Sequence, residues 1–327
     1  MVPQEAPWGS RKTDMDKPTD AQSGLSGETF ELTPARHFEL EYLPVPVALS
    51  AYITTLYHYR CDEKTIHDIQ PAAIGHLAIF PLGKGEMRFR DGRVDPSNQV
   101  NLLTPFSVAA PFEVKGPFHA IGAVMSPLGW AAFTGMDAGE HGNRLYRAAD
   151  WLGSEVEEMG TVLCDGYRNG TKSGTECAEA LCGFIEANLK PVKPRHAKLI
   201  HAVNRWLSGD LNPALDDLHA EISYSERQAQ RLIERYFGLP PQALARKYRA
   251  LRAAGLLSLP TLAPEYEAKL GEAFYDQSHM IREIRLFAGR TPSRLTDDES
   301  PYLTEMLDLK NFREIDPIGP TDVPRNK

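Results

Sequence analysis

Two short runs of this chain carry side chains able to hydrogen-bond to base edges and phosphates. Arg227, Gln230 and Arg231 stand in one run of helical spacing, and Gln277, Ser278 and Arg282 stand in another. Arginine and glutamine match the edges of guanine and adenine in the major groove, and serine meets bases or phosphates. Each arginine has two readings, a base contact or a phosphate contact that only sets position. Gln228 also has two, because Ser225 three residues earlier completes the S-x-x-Q pattern of a capping box. A lone amphipathic helix with arginines outside is most often a solvated surface helix, so the weight falls on the elements that hold these residues.

Those elements repeat. At an offset of 51 positions Tyr224 meets Tyr275, Ser225 meets Asp276, Arg231 meets Arg282 and Ile233 meets Ile284. Beyond them Gly238 meets Gly289 and Pro241 meets Pro292. Ala229, Leu232, Ile233, Tyr236 and Phe237 form one apolar stripe at helical spacing, opposite Arg227, Gln230, Arg231, Glu234 and Arg235. The second copy is capped by Asp276 and sets Met280, Ile284 and Phe287 inward, with Gln277, Ser278, Arg282 and Arg285 outward. Between the copies, residues 240–258 predict one helix opening at a proline. Nineteen residues rise about 28 Å, near the roughly 34 Å between successive major-groove faces.

Residues 195–296 resemble the DNA-binding domain of the AraC/XylS family of bacterial transcription regulators. The resemblance rests on YSERQAQRLIERYFGLPPQALARKYRALRAAGLL and on FYDQSHMIREIRLFAGRTPSRL, whose FYDQSH run and closing G-x-T-P match the family's second signature. It implies two helix-turn-helix units joined by a central helix and set in adjacent major grooves. By position it implies groove contacts from Arg227, Gln228, Gln230 and Arg231 in the first unit, and from Gln277, Ser278, His279, Ile281 and Arg282 in the second. The chain departs from the pattern at Ser223 and Ala273, where turn glycines are usual, and at Lys269 and Glu272, where small or apolar core residues are usual. Gly271 lowers local helix propensity by about 1 kcal/mol relative to alanine. Ile281 replaces a small polar residue and either meets a thymine methyl or joins the apolar stripe. These departures leave open whether the second unit reads bases or holds phosphates.

The remainder of the chain has a different texture. The 327 residues carry a net charge of −8 and are 42% hydrophobic, enough for two domains with cores of their own. Charge divides unevenly: 195–296 holds 15 Lys and Arg against 11 Asp and Glu, leaving 21 against 33 elsewhere. A basic module on an acidic body fits a reader of nucleic acid with a separate control domain. Residues 1–29 are polar and predict disorder. Residues 30–152 alternate short aromatic and β-branched runs with turn residues, which predicts an antiparallel barrel or sandwich; AIGAVMSPLGWAAFTGMD followed by ADWLG resembles the end of a cupin-like sensor domain. Residues 153–194 predict helices for a dimer interface or connector, ending in a linker, and 297–327 a loosely docked tail. Phe80, Met87, Phe89, Phe106, Phe112 and Phe118 would line the barrel interior or simply fill it, so no effector contacts are assigned.

Evidence for chemistry is thin. His58, His67, His76 and His119 contain no H-x-H pair of the kind that holds a cupin metal. Gly83-Lys84-Gly85 lies between strand-like runs and predicts a hairpin turn, not a phosphate loop. Cys61, Cys164, Cys177 and Cys182 form no C-x-x-C pair and suit a reducing compartment. There is no run of 18 apolar residues and no signal-peptide pattern. The expectation is an α+β chain: an N-terminal antiparallel β-barrel (cupin-like) and a C-terminal all-α domain with two helix-turn-helix units joined by a long helix. It would be a cytoplasmic, nucleoid-associated, homodimeric transcription regulator or activator of double-stranded DNA, without cofactor, metal or enzymatic activity. RNA polymerase and a small-molecule effector are its expected further partners. Two alternatives stand beside it: a ligand-binding or enzymatic barrel whose helical domain has lost specific DNA binding, and a regulator that binds a protein partner through its helical face.

Overall fold

The computed structural model describes residues 22–23, 29–30, 32–33, 37–259 and 261–291. The expectations for 1–29 and for 297–327 lie outside these residues, apart from a two-residue antiparallel pairing of β1 (Gln22–Ser23) with β2 (Thr29–Phe30). The expected antiparallel region follows as β3 (Phe38–Leu43), β4 (Ile53–Cys61), β5 (Thr65–Gln70), β6 (His76–Arg88), β7 (Val94–Pro96), β8 (Val100–Leu103), β9 (Ala110–Met125) and β10 (Leu145–Arg147). Their order is β10-β8-β6-β9-β4-β3, with β5 added to β9 and β7 to β6.

β9 organises this sheet. One of its edges pairs with β6, and the other pairs first with β5 and then with β4. The change of partner falls at Gly116-Pro117, where proline offers no N–H to a ladder and where any Cβ on Gly116 would run into the Glu63 carbonyl. Residues of β3, β4, β6 and β9 then curl around one apolar interior. The hairpin expected at Gly83-Lys84-Gly85 does not form. All three residues lie inside β6, and Lys84 and Gly85 pair with Lys115 and Val114 of β9. Gly83 adopts a left-handed φ of 79° where the register shifts, so the glycine makes a bulge that bends the strand without reversing it.

Among the described residues, a 3-10 turn (Val47–Leu49) and five α-helices complete the N-terminal domain: α1 (Pro127–Phe133), α2 (Ala138–His141), α3 (Ala149–Leu152), α4 (Ser154–Arg168) and α5 (Gly174–Ala187). α4 and α5, expected as a connector, lay Val156, Leu163, Leu181 and Ile185 against Ile79, Val100, Leu102 and Ile121 of the sheet, in one shared core. The chain leaves this core at Lys190, whose N–H bonds the Ala132 carbonyl at 2.8 Å, and re-enters helix at Pro194.

The helical domain comprises α6 (Pro194–Gly209), α7 (Leu215–Glu221), α8 (Glu226–Phe237), α9 (Pro241–Leu257), α10 (Pro264–Ala273) and α11 (Gln277–Ala288). α9 is buried along almost its whole length and is the axis of the domain core. The two domains dock directly. The Ala72 and Ala109 N–H groups donate to the Phe287 and Leu286 carbonyls at 2.8 and 3.0 Å, and Arg290 pairs with Asp68 out of solvent. Lys247 of α9, 2% exposed, donates to the carbonyls of Ala73 (3.1 Å) and Phe106 (3.0 Å). These bonds offset part of the cost of taking a charge out of water.

Candidate nucleic-acid interface

α7 and α8 form one helix-turn-helix unit, and α10 and α11 form the other. In α8 the stripe read from spacing is the buried one, with Ala229 and Ile233 fully inside and Tyr236 and Phe237 nearly so. In α11 Met280, Ile284 and Phe287 play the same part. Both helices stop at a left-handed glycine, Gly238 at φ 80° and Gly289 at φ 81°, a conformation that costs a residue with a Cβ but not glycine. The N-termini differ. Asp276 accepts from the His279 N–H at 2.6 Å, whereas Ser225 holds the N-cap position of α8 without a side-chain bond. The capping box expected from Ser225 and Gln228 is therefore absent, and Gln228 is left to the surface.

Anchoring the stripes inward turns the polar face outward. Arg227, Gln228, Gln230 and Arg231 are exposed on α8, and Gln230 donates to Glu234 at 3.0 Å. On α11 Gln277, Ser278 and Arg282 are exposed, while His279 and Ile281 are half-buried. His279 is engaged locally, its Nε2 lying 3.2 Å from Glu283 of the same helix and its ring set edge-on to Phe274 at the end of α10. Lys269 and Glu272 are exposed on α10, which turns Leu270, Ala273 and the half-buried Tyr266 to the core. Those two departures from the family pattern thus place no charge in the core.

What fixes α11 to α9 is a buried carboxylate. Glu283, 2% exposed, accepts from Arg246 Nε at 2.8 Å and from Arg249 Nε and Nη2 at 3.2 and 2.7 Å. Burial raises its pKa, but the bonds from Arg246 and Arg249 outweigh burial and hold the carboxyl below its ordinary range. Arg249 is further held by Asn212 at 2.8 Å and lies over the Phe274 ring at 4.9 Å. The asymmetry is informative: α11 is held by a charged cluster, whereas α8 is held by apolar contact, by α2 and by the Tyr236 hydroxyl, 2.6 Å from His196 Nδ1.

Two cavities border the helical domain. A polar cleft between the domains is lined by Arg195, His196, Tyr224, Gln228, Arg231, Leu232 and Arg235, with Asp137 opposite them. The second cavity lies inside the β domain, enclosing about 140 Å³ of free space. Its walls include Tyr57, Phe80, Phe112 and Phe118, and its floor is Gln70–Ile74 with Lys247, Tyr248 and Leu251 of α9. Two buried polar atoms on its wall, Gln70 Nε2 and His76 Nδ1, have no hydrogen-bond partner among the described residues. Burial pushes the His76 pKa down to about 4, so this imidazole is neutral at physiological pH.

Residues 218–298 match the family described as "Helix-turn-helix domain". This part of the chain is an AraC-type helix-turn-helix domain. No curated protein matches the chain. Among solved structures, it is similar to ToxT from Vibrio cholerae O395, at 11% identity over 81% of this chain and 99% of that one, with a TM-score of 0.42. It is similar also to unsaturated fatty acid-bound wild-type ToxT from Vibrio cholerae strain SCE256, at 10% identity over 81% and 96% of the two chains, with a TM-score of 0.41. A third is the AraC-like transcriptional activator CuxR, at 14% identity over 67% and 87%, with a TM-score of 0.25.

Several residues that shape the helix-turn-helix domain escaped sequence reasoning. Glu283 left a readable trace: it falls at i+3 from Met280 inside the apolar stripe, where a charge calls for a buried partner. Lys247 and Arg252 are similar, being charges on a helix that is buried along most of its length. Arg252 is fully buried, its pKa drawn down to about 10 by burial, and its Nη2 donates to the Asp210 carbonyl at 2.7 Å. Arg290 and Asp68 lie 222 positions apart, and no local pattern links them. His58 and His119, considered above only for metal binding, share the Tyr167 hydroxyl at 2.9 and 2.7 Å and join β4 and β9 to α4.

Proposed function

We propose that this chain is a sequence-specific transcription regulator that sets α8 and α11 into successive major grooves of duplex DNA and answers to an apolar small molecule held in the β domain. The carrying observation is the matched pair of helix-turn-helix units, each with its apolar stripe inside and its arginine and glutamine face outside. In this reading Arg227, Gln228, Gln230 and Arg231 contact DNA from α8, and Gln277, Ser278, His279, Ile281 and Arg282 contact it from α11. The seventeen residues of α9 rise about 25 Å and keep the two reading helices at a separation near one turn of DNA.

The effector reading is supported by the cavity. About 140 Å³ of space for water-sized groups corresponds to roughly ten waters, and its lining is predominantly aromatic and aliphatic. A ligand with an apolar body and one hydrogen-bonding group would satisfy Gln70 or His76 and exclude water from the remaining wall. Because Gln70–Ile74 and Lys247 belong both to the cavity and to the docking contacts with the helix-turn-helix domain, occupancy and DNA affinity are coupled. For the homodimer expected from the sequence, α4 is the candidate element, with Val162 62% exposed on its outer side.

Selection of the full-length chain against random duplexes tests the reading. The expected outcome is a bipartite site with elements about one helical turn apart. Arg231→Ala should lose preference in one element and Arg282→Ala in the other, each costing about 1–3 kcal/mol. Enrichment of no site by a folded chain would overturn the assignment.

A further inference from the structure

The polar cleft between the domains gathers three guanidinium groups from two helices, Arg195 at the start of α6 and Arg231 and Arg235 on α8. One acid, Asp137 of the N-terminal domain, faces them. Arg195 and Arg231 make no ion pair among the described residues. Arg235 reaches Asp137 only at 3.9 Å, well beyond the 2.7–2.9 Å of a direct charge-assisted hydrogen bond. The cleft is thus over-supplied with positive charge, and its surroundings register it: the His196 pKa is lowered by burial and then by Arg195, Lys193 and Arg235. Gln228 and Arg231 form part of this wall and part of the exposed face of α8 at once. Whatever occupies the cleft is therefore in contact with the face assigned to DNA.

Asp137 has a defined place there. It caps α2, its Oδ1 accepting from the Gly139 and Glu140 N–H groups at 3.0 and 3.3 Å, while Oδ2 is the oxygen turned to Arg235. α2 is itself packed on the end of α8: a Cβ on Gly139 would sit 3.1 Å from the Glu234 carbonyl, and Gly238 abuts the Ala138 carbonyl. Glu234 and Gly238 continue the helical stripe that begins at Arg227 and Arg231, so the N-terminal domain closes one end of the reading face with a carboxylate among arginines.

We propose that this cleft receives a backbone phosphate of DNA, held by Arg195 and Arg235 beside the first reading helix, and that the Asp137 carboxylate competes with that phosphate for the site. The proposal rests on the DNA-binding reading and adds to it two phosphate contacts and an internal competitor. Arg195 and Arg235 are positioning contacts here, and base choice stays with the exposed face. A phosphodiester and a carboxylate share the same donors, so removing the carboxylate strengthens DNA binding without creating any new contact.

The test measures dissociation constants of the full-length chain for a mixed-sequence duplex across a salt series, for the parent, Asp137→Asn, Arg195→Ala and Arg235→Ala. Asparagine caps a helix as well as aspartate does, so Asp137→Asn keeps α2 while removing the charge. It should bind about two- to fivefold more tightly at each salt concentration, the scale of one partly exposed ion pair. Arg195→Ala and Arg235→Ala should each weaken binding and reduce the salt slope by about 1. An Asp137→Asn affinity equal to the parent's would overturn the competition, and unchanged slopes in both arginine variants would overturn the phosphate site. Inorganic phosphate is titrated in parallel without DNA. Saturable binding that Arg195→Ala abolishes, with duplex affinity unaffected, would make the cleft a site for a free anion and also overturn the assignment. If the folded parent binds no duplex even at low salt, the functional reading falls first and this inference with it; if the parent binds and Asp137→Asn is silent, only this inference falls.

Discussion

Replacing Glu283 by alanine removes the acceptor that joins α11 to α9, and the size of the effect follows from its arginine partners. Arg246 is half exposed, so its share is that of a surface pair, about 0–1 kcal/mol. Arg249 is 8% exposed and would keep only Asn212 and the Phe274 ring. Breaking a buried pair from one side costs about 3–5 kcal/mol; with two contacts retained by Arg249, the lower end applies. The expected total is about 3–4 kcal/mol, a large part of the roughly 5–15 kcal/mol that holds a domain folded. The melting temperature should fall by about 10 °C or more, followed by circular dichroism of the full-length chain. A cycle of Glu283→Ala, Arg249→Ala and the double variant should yield a coupling of about 2–3 kcal/mol, the upper range for residues in one network. A loss below about 1 kcal/mol, or no coupling, would refute the reasoning and reduce Glu283 to a bystander. Below its melting point the variant should keep recognition through α8 and lose that through α11.

The same carboxylate sets an acid limit. Because the folded pKa of Glu283 lies below its ordinary value of 4.5, its contribution is complete above that value and is lost as pH falls below it through the folded pKa. Urea midpoints of the parent should therefore drop across this acid range more steeply than those of Glu283→Gln, and parallel curves would exclude the linkage. Gly75→Ala should destabilise the β domain by about 1–3 kcal/mol, since its Cβ would enter the space of the buried Trp130 ring; an unchanged urea midpoint would show that the ring can yield. All four cysteines are buried, and burial lifts Cys164 to about 12 and Cys182 to about 11. The native chain should resist iodoacetamide near pH 8, about the ordinary thiol pKa, until it unfolds, and mass spectrometry of rapid native labelling would contradict this burial.

The helical half of the molecule was largely legible because its determinants are local. Apolar spacing placed Ala229, Ile233, Phe237, Met280, Ile284 and Phe287 inside, and the paired glycines marked both helix ends, since left-handed backbone selects glycine wherever it occurs. The outward face followed from the inward one. What escaped was of two kinds. Short polar residues have several uses, so Ser225 and Gln228 matched a cap that the backbone does not employ, and Gly83 shaped a bulge where a turn was expected. Contacts between distant segments leave no periodic trace: Asp68 with Arg290, Lys247 with the carbonyls of Ala73 and Phe106, and Asp137 with Arg235 all depend on how two domains meet. Lys269 and Glu272 belong to the same lesson, for their cost depended on a burial that only the packing of α10 decides.

The short passage from Lys190, bonded to Ala132, to the start of α6 at Pro194 has a consequence for how firmly the domains must hold one another. Four residues span at most about 15 Å, so a helix-turn-helix domain that comes loose cannot wander. Tethered this closely, each domain sees the other at an effective concentration of order millimolar. Contacts too weak to join separate molecules then suffice to keep one chain closed. Severing the chain between Lys190 and Pro194 would convert this closure from an intramolecular equilibrium into a dilution-sensitive one.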